Sequence, residues 1–468
     1  MKPFVTAHVA LAGLVLSACA SLSTDGGLPA VQQAVGSRVD APLSLVSNEA
    51  GRDAARSAIR VRLATPLAQA DAVAIAIANN PGLQAAYAEL RISEAEVVQA
   101  TRLRNPGITF GRFRRGEERE IERKVTLDVV GLLTMPWRYD AEKRLYAAAQ
   151  QRAAGEVVRI ADETRHAWVE AVASAEAARY AAQVADAASA SAEIAQQMLR
   201  AGNFSKLDHS REQVFHAEAI AHLARARQAA VGARERLTRL LGLSGEDLAY
   251  KLPGRLPDLP AAPRELVDAE ATALAQRLDV QAARAETEGL ARSLGLTRAN
   301  RFVNVFDLTY EHDTSNVEPA RTGYEVELSL PIFDWGDARV ARAEATYMRS
   351  FHRTAELAIR ARSQVRESYT AYRTAYDLAR HYRDEIVPLR KRISEENLLR
   401  YNGMLISVFE LLADSRDQAQ AVEAAIEAVR DYWIADANLE TALTTGTPPA
   451  SPAMRASPTA SPADSEDH

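Results

Sequence analysis

The chain has a single cysteine in 468 residues, Cys19, which excludes a disulfide scaffold and a Cys-rich metal site. Aromatic residues are only 6% of the sequence, so there is little bulky material for a compact mixed core. Proline is missing from Trp137 to Leu252, and Pro388 stands alone between Ile332 and Thr447. Glycine is almost as scarce, with Gly155 the sole example from Trp137 to Ala201. Beyond the N-terminus there is no run of about 18 apolar residues, which excludes a membrane-spanning helix. Neither charge sign dominates: 56 basic and 62 acidic residues give a net −6, with no basic face of the kind nucleic acid requires. The fingerprints G-x-x-x-x-G-K-[ST], H-E-x-x-H and G-x-S-x-G and the dinucleotide glycine motif are all missing. No catalytic residue, resident metal or cofactor is expected, and the chain does not read as an enzyme.

Alanine is abundant instead, with 91 residues. It is the best helix former and a poor core filler, so it favours long helices whose backbones approach closely. The N-terminus accounts for the cysteine. Lys2 precedes the apolar segment Val9–Leu16, and Leu16-Ser17-Ala18-Cys19 matches the lipobox of bacterial lipoproteins. Residues 1–18 therefore read as a signal peptide and Cys19 as the site of lipid attachment. Ala20 at the next position favours the outer membrane. Residues 19–64 read as a lipidated leader without a core, and the Pro/Ser/Ala/Asp-rich residues 447–468 as a disordered tail.

Between leader and tail the chain repeats. Ala74–Glu89 superposes on Ala271–Glu286 with eight identities in sixteen positions at an offset of 197, and the same order of elements follows each copy. The repeats span 65–255 and 256–446. Each has a helix, two segments of period-two character and a very long helical run. In Tyr324–Leu330 the apolar residues Tyr324, Val326, Leu328 and Leu330 alternate with Glu325, Glu327 and Ser329. Phe302–Glu311 behaves likewise, with Asn304 as a blemish on its greasy side. The strands are expected at about 105–113, 123–133, 302–311 and 322–331, with charged loops around 114–122 and 312–321. Their lengths suit membrane-spanning barrel strands. The helical hairpins are expected over 137–243 and 337–445, the first arm of each, about Trp137–Arg200 and Asp337–Tyr401, being about 100 Å long at 1.5 Å per residue. Four amphipathic strands cannot close a barrel, and an open edge in lipid leaves backbone groups unpaired. Several copies must therefore share one barrel. Three copies give twelve strands with a lumen, which suits the wet faces Asp307, Glu311, Glu325 and Glu327.

With these features the chain resembles the outer-membrane efflux proteins, outer-membrane factors of the TolC type. The resemblance covers roughly residues 65–446. It is carried by the twofold repeat, the step Asn80-Pro81-Gly82-Leu83, the step Pro331-Ile332-Phe333-Asp334-Trp335-Gly336, and Pro388 followed by Arg400-Tyr401-Asn402-Gly403. Thr134-Met135-Pro136-Trp137 departs from the usual step in the first repeat. Trp137 and Trp335 are either aromatic anchors at the membrane interface or core residues. The resemblance implies a mainly α fold with long antiparallel hairpins and four barrel strands per chain, closing as a homotrimer. It further implies an exit duct in the outer membrane that works with a periplasmic adaptor and an inner-membrane pump of RND type. The rival readings are the outer-membrane component of a type I secretion system, a periplasmic adaptor and a structural coiled-coil lipoprotein.

The hairpin tips are Gly202-Asn203-Phe204-Ser205-Lys206-Leu207-Asp208 and Gly403-Met404-Leu405-Ile406-Ser407-Val408-Phe409-Glu410. Each has a glycine break, a hydroxyl that can cap the returning helix, and an acid that complements its N-terminal dipole. By resemblance the tips dock on the adaptor and narrow the tunnel mouth. Glu410 matches the first of two acids that ring this entrance in the family, Ala413 falls at the second position, and Asp414 comes one later. Glu410, Asp414 and Asp208 are thus the candidates for a periplasmic gate. His209, Glu212 and His216, with His222 further along, have metal-like spacing, but a polar helix face is the expected reading, and no metal site is assigned.

Overall fold

The computed structural model describes residues 22–45, 49–302, 305–329 and 331–446. Cys19 and the tail 447–468 lie outside them. In order the elements are α1 (Leu28–Val35), α2 (Glu49–Leu63), α3 (Gln69–Asn79), α4 (Pro81–Ala100), β1 (Gly107–Arg115), β2 (Glu118–Asp128), α5 (Val129–Arg200) and α6 (Lys206–Leu241). The second repeat follows with α7 (Ala269–Gln276), α8 (Leu278–Ala299), β3 (Phe306–Ser315), β4 (Arg321–Leu328), α9 (Asp337–His381), a π-helical turn (Tyr382–Ile386), α10 (Val387–Asn402) and α11 (Val408–Thr444). Among the described residues no helix is long and apolar enough to cross a membrane. The expected class, mainly helical with a small sheet, holds.

Helix α5 is the mast. Its 72 residues extend about 108 Å at 1.5 Å per residue. Its upper and middle parts bury Val157, Val158, Ile160, Trp168, Val169 and Val172 in a core shared with Val31, Ile75, Leu83, Tyr87, Leu237 and Leu241. Each such aliphatic side chain contributes about 1.5–3 kcal/mol. Lower down only small residues are buried, Ala181, Ala185, Ala188, Ala192 and Ala195, and the backbone of α6 draws close. Helix α6 has 36 residues, half the length of α5. The upper part of the mast therefore packs on α8, with Arg144 on Glu288 at 2.5 Å and Arg152 on Glu286 at 3.3 Å. A Cβ on Gly289 would lie 2.9 Å from Leu145, which shows how near the two helices run.

The repeat offset is visible in the packing. Asn80 caps α4, accepting from the Gly82 amide at 2.8 Å, and its side-chain amide donates to the Leu240 carbonyl at 3.1 Å. Arg277, 197 residues on, is fully buried, pairs with Asp279 at 2.7 Å and donates to the Ala442 carbonyl at 3.4 Å. Both residues tie the start of a repeat to the end of its returning helix. The linker between the repeats is strapped to the second hairpin. Tyr372 accepts from the Arg264 amide at 2.8 Å, Tyr376 donates to the Pro260 carbonyl at 3.1 Å, and Arg264 pairs with Asp436 at 2.6 Å.

Several expected boundaries move. The second strand is 118–128 rather than 123–133, because Asp128 accepts from the Gly131 amide at 2.7 Å and starts α5 there. Pro136 is accommodated inside that helix, and Arg138 donates to the Gly131 carbonyl at 3.0 Å. The third strand is 306–315 rather than 302–311, and the first and fourth are 107–115 and 321–328. The loop expected around 114–122 shrinks to a tight turn at Gly116, whose φ is +63°. The leader is not coreless. Val31 and Val35 are completely buried against α5, and Arg165 donates to the Arg38 carbonyl at 2.8 Å.

Two glycines separate backbone strain from steric clash. Gly202 and Gly242 have φ of +74° and +65°, but a Cβ would meet nothing near Gly202, whereas at Gly242 it would sit 2.8 Å from the Asn79 carbonyl oxygen. Gly202→Ala is expected to cost about 1 kcal/mol and Gly242→Ala clearly more. Equal midpoints in denaturant unfolding of the detergent-solubilised variants would contradict this.

Candidate functional site

The candidate functional residues lie in two regions, the sheet and the hairpin tips. The sheet runs β1-β2-β3-β4, all antiparallel. Its register sorts every strand residue onto one of two faces. One face presents Ile108, Phe110, Val125, Leu127, Leu308, Tyr310, Tyr324, Val326 and Leu328, each at least 38% exposed. The other carries all nine strand acids: Glu118, Glu120, Glu122, Asp128, Asp307, Glu311, Asp313, Glu325 and Glu327. The usual burial is inverted. Thr309 and Asp313 on the acidic face are buried at 7% and 4% exposure, while apolar side chains opposite them face out.

The acidic face is held by ion pairs within and across strands. Lys124 lies 2.7 Å from Glu122, 3.6 Å from Glu311 and 3.7 Å from Glu325, and Arg321 lies 2.9 Å from Asp313. Thr126 and Thr309 share a hydroxyl hydrogen bond of 2.8 Å. The carboxylates of Glu122, Glu311 and Asp313 converge within 4.8 Å of one another. Below the sheet the apolar surface continues through Leu132, Leu133, Trp137, Ile332, Phe333 and Trp335, all exposed, so neither tryptophan is a core residue of the chain.

The tips share one backbone motif. The Asn203 amide donates to the Met198 carbonyl at 2.9 Å and the Leu405 amide to the Arg400 carbonyl at 2.8 Å, the six-to-one bond of a Schellman cap. In the first tip the left-handed residue is Gly202. In the second it is not Gly403, whose φ is −80°, but Met404 at +61°. The glycine break expected there is displaced by one residue, and a side chain that is 93% exposed takes the strained position. Ser205 caps α6 by accepting from the Asp208 amide at 3.1 Å, and Ser407 caps α11 by accepting from the Glu410 amide at 3.3 Å. Gly202, Asn203, Ser205, Lys206, Leu207, Gly403, Leu405 and Ser407 are exposed, Ile406 is half-buried, and Phe204 is buried.

The three gate candidates stand in different surroundings. Glu410 is exposed and its carboxylate accepts from the Ser407 hydroxyl at 3.3 Å. Asp208 is half-buried and pairs with Arg211 at 3.3 Å. Asp414 is buried at 7% exposure, and its Oδ2 has no hydrogen-bond partner among the described residues. Within one chain these carboxylates form no metal-sized cluster.

The sequence reading missed the buried centre beside the first tip. Glu212, taken for part of a polar face, is 2% exposed, accepts from the Ser191 hydroxyl at 2.7 Å and pairs with Arg416 of α11. Arg416 also lies 4.3 Å from the centre of the Phe215 ring. Its partners come from α5 and α6, so this centre joins the two hairpins. The available signal is spacing, since Glu212 falls seven residues before the buried Ala219. His222 instead faces Glu423 at 2.9 Å, so the histidines and Glu212 do not converge on a metal site.

No family model matches the chain. Among curated proteins it is similar to the cobalt-zinc-cadmium resistance protein CzcC of Cupriavidus metallidurans, 29% identical over 275 residues, which cover 58% of this chain and 64% of that protein. The chain thus spans just under two thirds of that relative. Among solved structures it is similar to CusC, with a TM-score of 0.66 at 16% identity over 80% of this chain and 91% of that one. It is also similar to the CmeC outer membrane channel of Campylobacter jejuni, with a TM-score of 0.69 at 16% identity over 81% and 86%. The open state of the MtrE outer membrane channel of Neisseria gonorrhoeae gives 0.66 at 18% identity over 80% and 88%. The fold is that of the outer-membrane channels, shared with these structures over 80–81% of the chain.

Removing Arg416 leaves Glu212 buried without its counter-charge. Arg416→Ala is expected to destabilise by about 3 kcal/mol. Arg390→Ala, which breaks an exposed pair with Asp417, should stay within about 1 kcal/mol. Unfolding curves that rank the two the other way would refute the assignment of a buried ionic centre.

Proposed function

We propose that this protein is the outer-membrane exit duct of a tripartite efflux system. The observation that carries the reading is the sheet, whose apolar side chains are exposed on one face while the acidic face holds the buried Thr309 and Asp313, and whose β1 and β4 are open edges among the described residues. Such a sheet is a segment of barrel wall. In hydrocarbon each unpaired edge group costs several kcal/mol, so closure by copies of the same chain is required. A homotrimer gives twelve strands, and the helices that leave the sheet at one end continue the wall as a tunnel. The exposed Trp137 and Trp335 fit the level of the periplasmic membrane interface. Cys19 supplies a lipid anchor.

The duct draws on no energy of its own. A periplasmic adaptor docks at Gly202–Leu207 and Gly403–Ser407, and an inner-membrane pump of the RND type delivers the cargo. Nine acids against Arg115, Lys124 and Arg321 give the interior face of each chain a net negative charge, which favours cations. That agrees with the cobalt, zinc and cadmium in the name of the similar curated protein. At the lower mouth Glu410 of each copy forms an acidic ring.

The native mass of the detergent-purified chain should be that of a trimer, and it should conduct in planar bilayers. A folded monomer that does not conduct would overturn the reading. In the same bilayers Glu410→Gln should weaken cation selectivity and block by divalent cations. Unchanged selectivity would remove Glu410 from the gate while leaving the duct in place.

A further inference from the structure

The outward face of the sheet is not apolar to its end. Towards the turns that join β1 to β2 and β3 to β4 it carries Arg112 and Arg114 on β1, Arg119 and Arg123 on β2, and His312 on β3. The register packs them tightly. Arg114 stands directly opposite Arg119, Arg123 is opposite His312, and Arg112, opposite Ile121, is the diagonal neighbour of both Arg119 and Arg123. Like charges directly opposite on a sheet repel, so a chain on its own gains nothing from this arrangement. No strand acid relieves it, because every one lies on the other face. Arg114 donates to the Gly116 carbonyl at 3.0 Å and Arg123 to the Thr314 hydroxyl at 3.4 Å, and among the described residues none of the four guanidinium groups pairs with a carboxylate. Closing the barrel would bring β1 beside β4 of another copy, whose outward residues are Thr322, Tyr324, Val326 and Leu328, again without an acid.

The surroundings select the ligand. Phe110 lies across from Arg123, and Ile108, Val125 and Leu127 lie directly below on the same face. A molecule that satisfies both levels has anionic oxygens above and hydrocarbon below. Guanidinium groups meet phosphate oxygens with paired, charge-assisted hydrogen bonds. We infer that Arg112, Arg114, Arg119 and Arg123 form a site for the phosphate groups of a phosphorylated lipid in the outer leaflet, its acyl chains lying on Ile108, Phe110, Val125 and Leu127. This rests on the outer-membrane reading above, which places the turn end of the sheet at the outer leaflet.

The test compares the full chain with R112Q/R114Q/R119Q/R123Q and with the corresponding quadruple Lys variant. Bisphosphorylated lipid A, its dephosphorylated form and inorganic phosphate are the probes, bound lipid is counted by native mass spectrometry, and conductance in planar bilayers checks assembly. Lipid A affinity should fall about tenfold or more in the Gln variant and by less in the Lys variant, which keeps the charge but loses the paired geometry. The dephosphorylated lipid should not distinguish the proteins, and millimolar inorganic phosphate should not displace lipid A. The inference is overturned if the Gln variant keeps wild-type affinity, if the dephosphorylated lipid binds the wild type equally well, or if free phosphate competes fully. Should the quadruple Gln chain not assemble, R112Q/R119Q is read by the same criteria. A wild-type chain that conducts but ignores lipid A removes only this inference, whereas one that never conducts removes the outer-membrane reading as well.

Discussion

The backbone groups along the outer edges of β1 and β4 are the constraint around which the molecule is organised. Among the described residues of one chain they have no strand to pair with. In water such edges cost little, but an outward face of Phe110, Tyr324 and Val326 belongs in hydrocarbon, where an open edge is not tolerated. Sequence, sheet and assembly are therefore coupled. The period-two pattern that makes a strand amphipathic also makes its isolated sheet incomplete.

The helical part solves a different problem. A rod as long as α5 cannot be enclosed by a single neighbour, and it is covered in stages. Helices α1, α3, α4 and α8 surround its upper and middle parts, α11 leans against it from the second repeat, and α6 accompanies its lower part. The buried residues change accordingly, from Trp168 and Val172 where several elements meet to Ala188 and Ala192 where two helices touch. Alanine richness follows from this geometry, since close backbone approach leaves no room for more. The same repeat plan uses different chemistry in its two halves. Asn80 ties its half with a neutral amide, whereas Arg277 needs Asp279 beside it because a buried guanidinium without a counter-charge is costly.

Much of this was legible in the sequence. Alternation in Tyr324–Leu328 and the proline-free runs gave the strand and the long helices directly. The strand ends were harder, because Arg114 and Arg119 look like loop residues when only the apolar alternation is followed. Val129–Trp137 is apolar enough to pass for strand, and only the cap made by Asp128 reveals the helix. In the leader Val31 and Val35 are spaced four apart, a helical signal masked by flanking Gly and Pro. The tips were read in outline, but whether Gly403 or Met404 takes the left-handed turn depends on where the helical hydrogen bonds stop. The pairing of Glu212 with Arg416 crosses 204 residues and two hairpins, and no local pattern encodes it.

The π-helical turn at Tyr382–Ile386 has a mechanical consequence. Its extra residue interrupts the regular ladder, and Pro388 just beyond it removes another amide donor. Above this point α9 buries Tyr372, Tyr376 and Ala379, whereas below it α10 buries no residue within the chain. The second hairpin thus has an upper arm with buried tyrosines and a lower arm that packs on α11 without burying a side chain, and the joint lies where the regular hydrogen-bond ladder is interrupted. Bending there breaks few contacts, while bending α5 at the same depth would pull apart its alanine seam with α6.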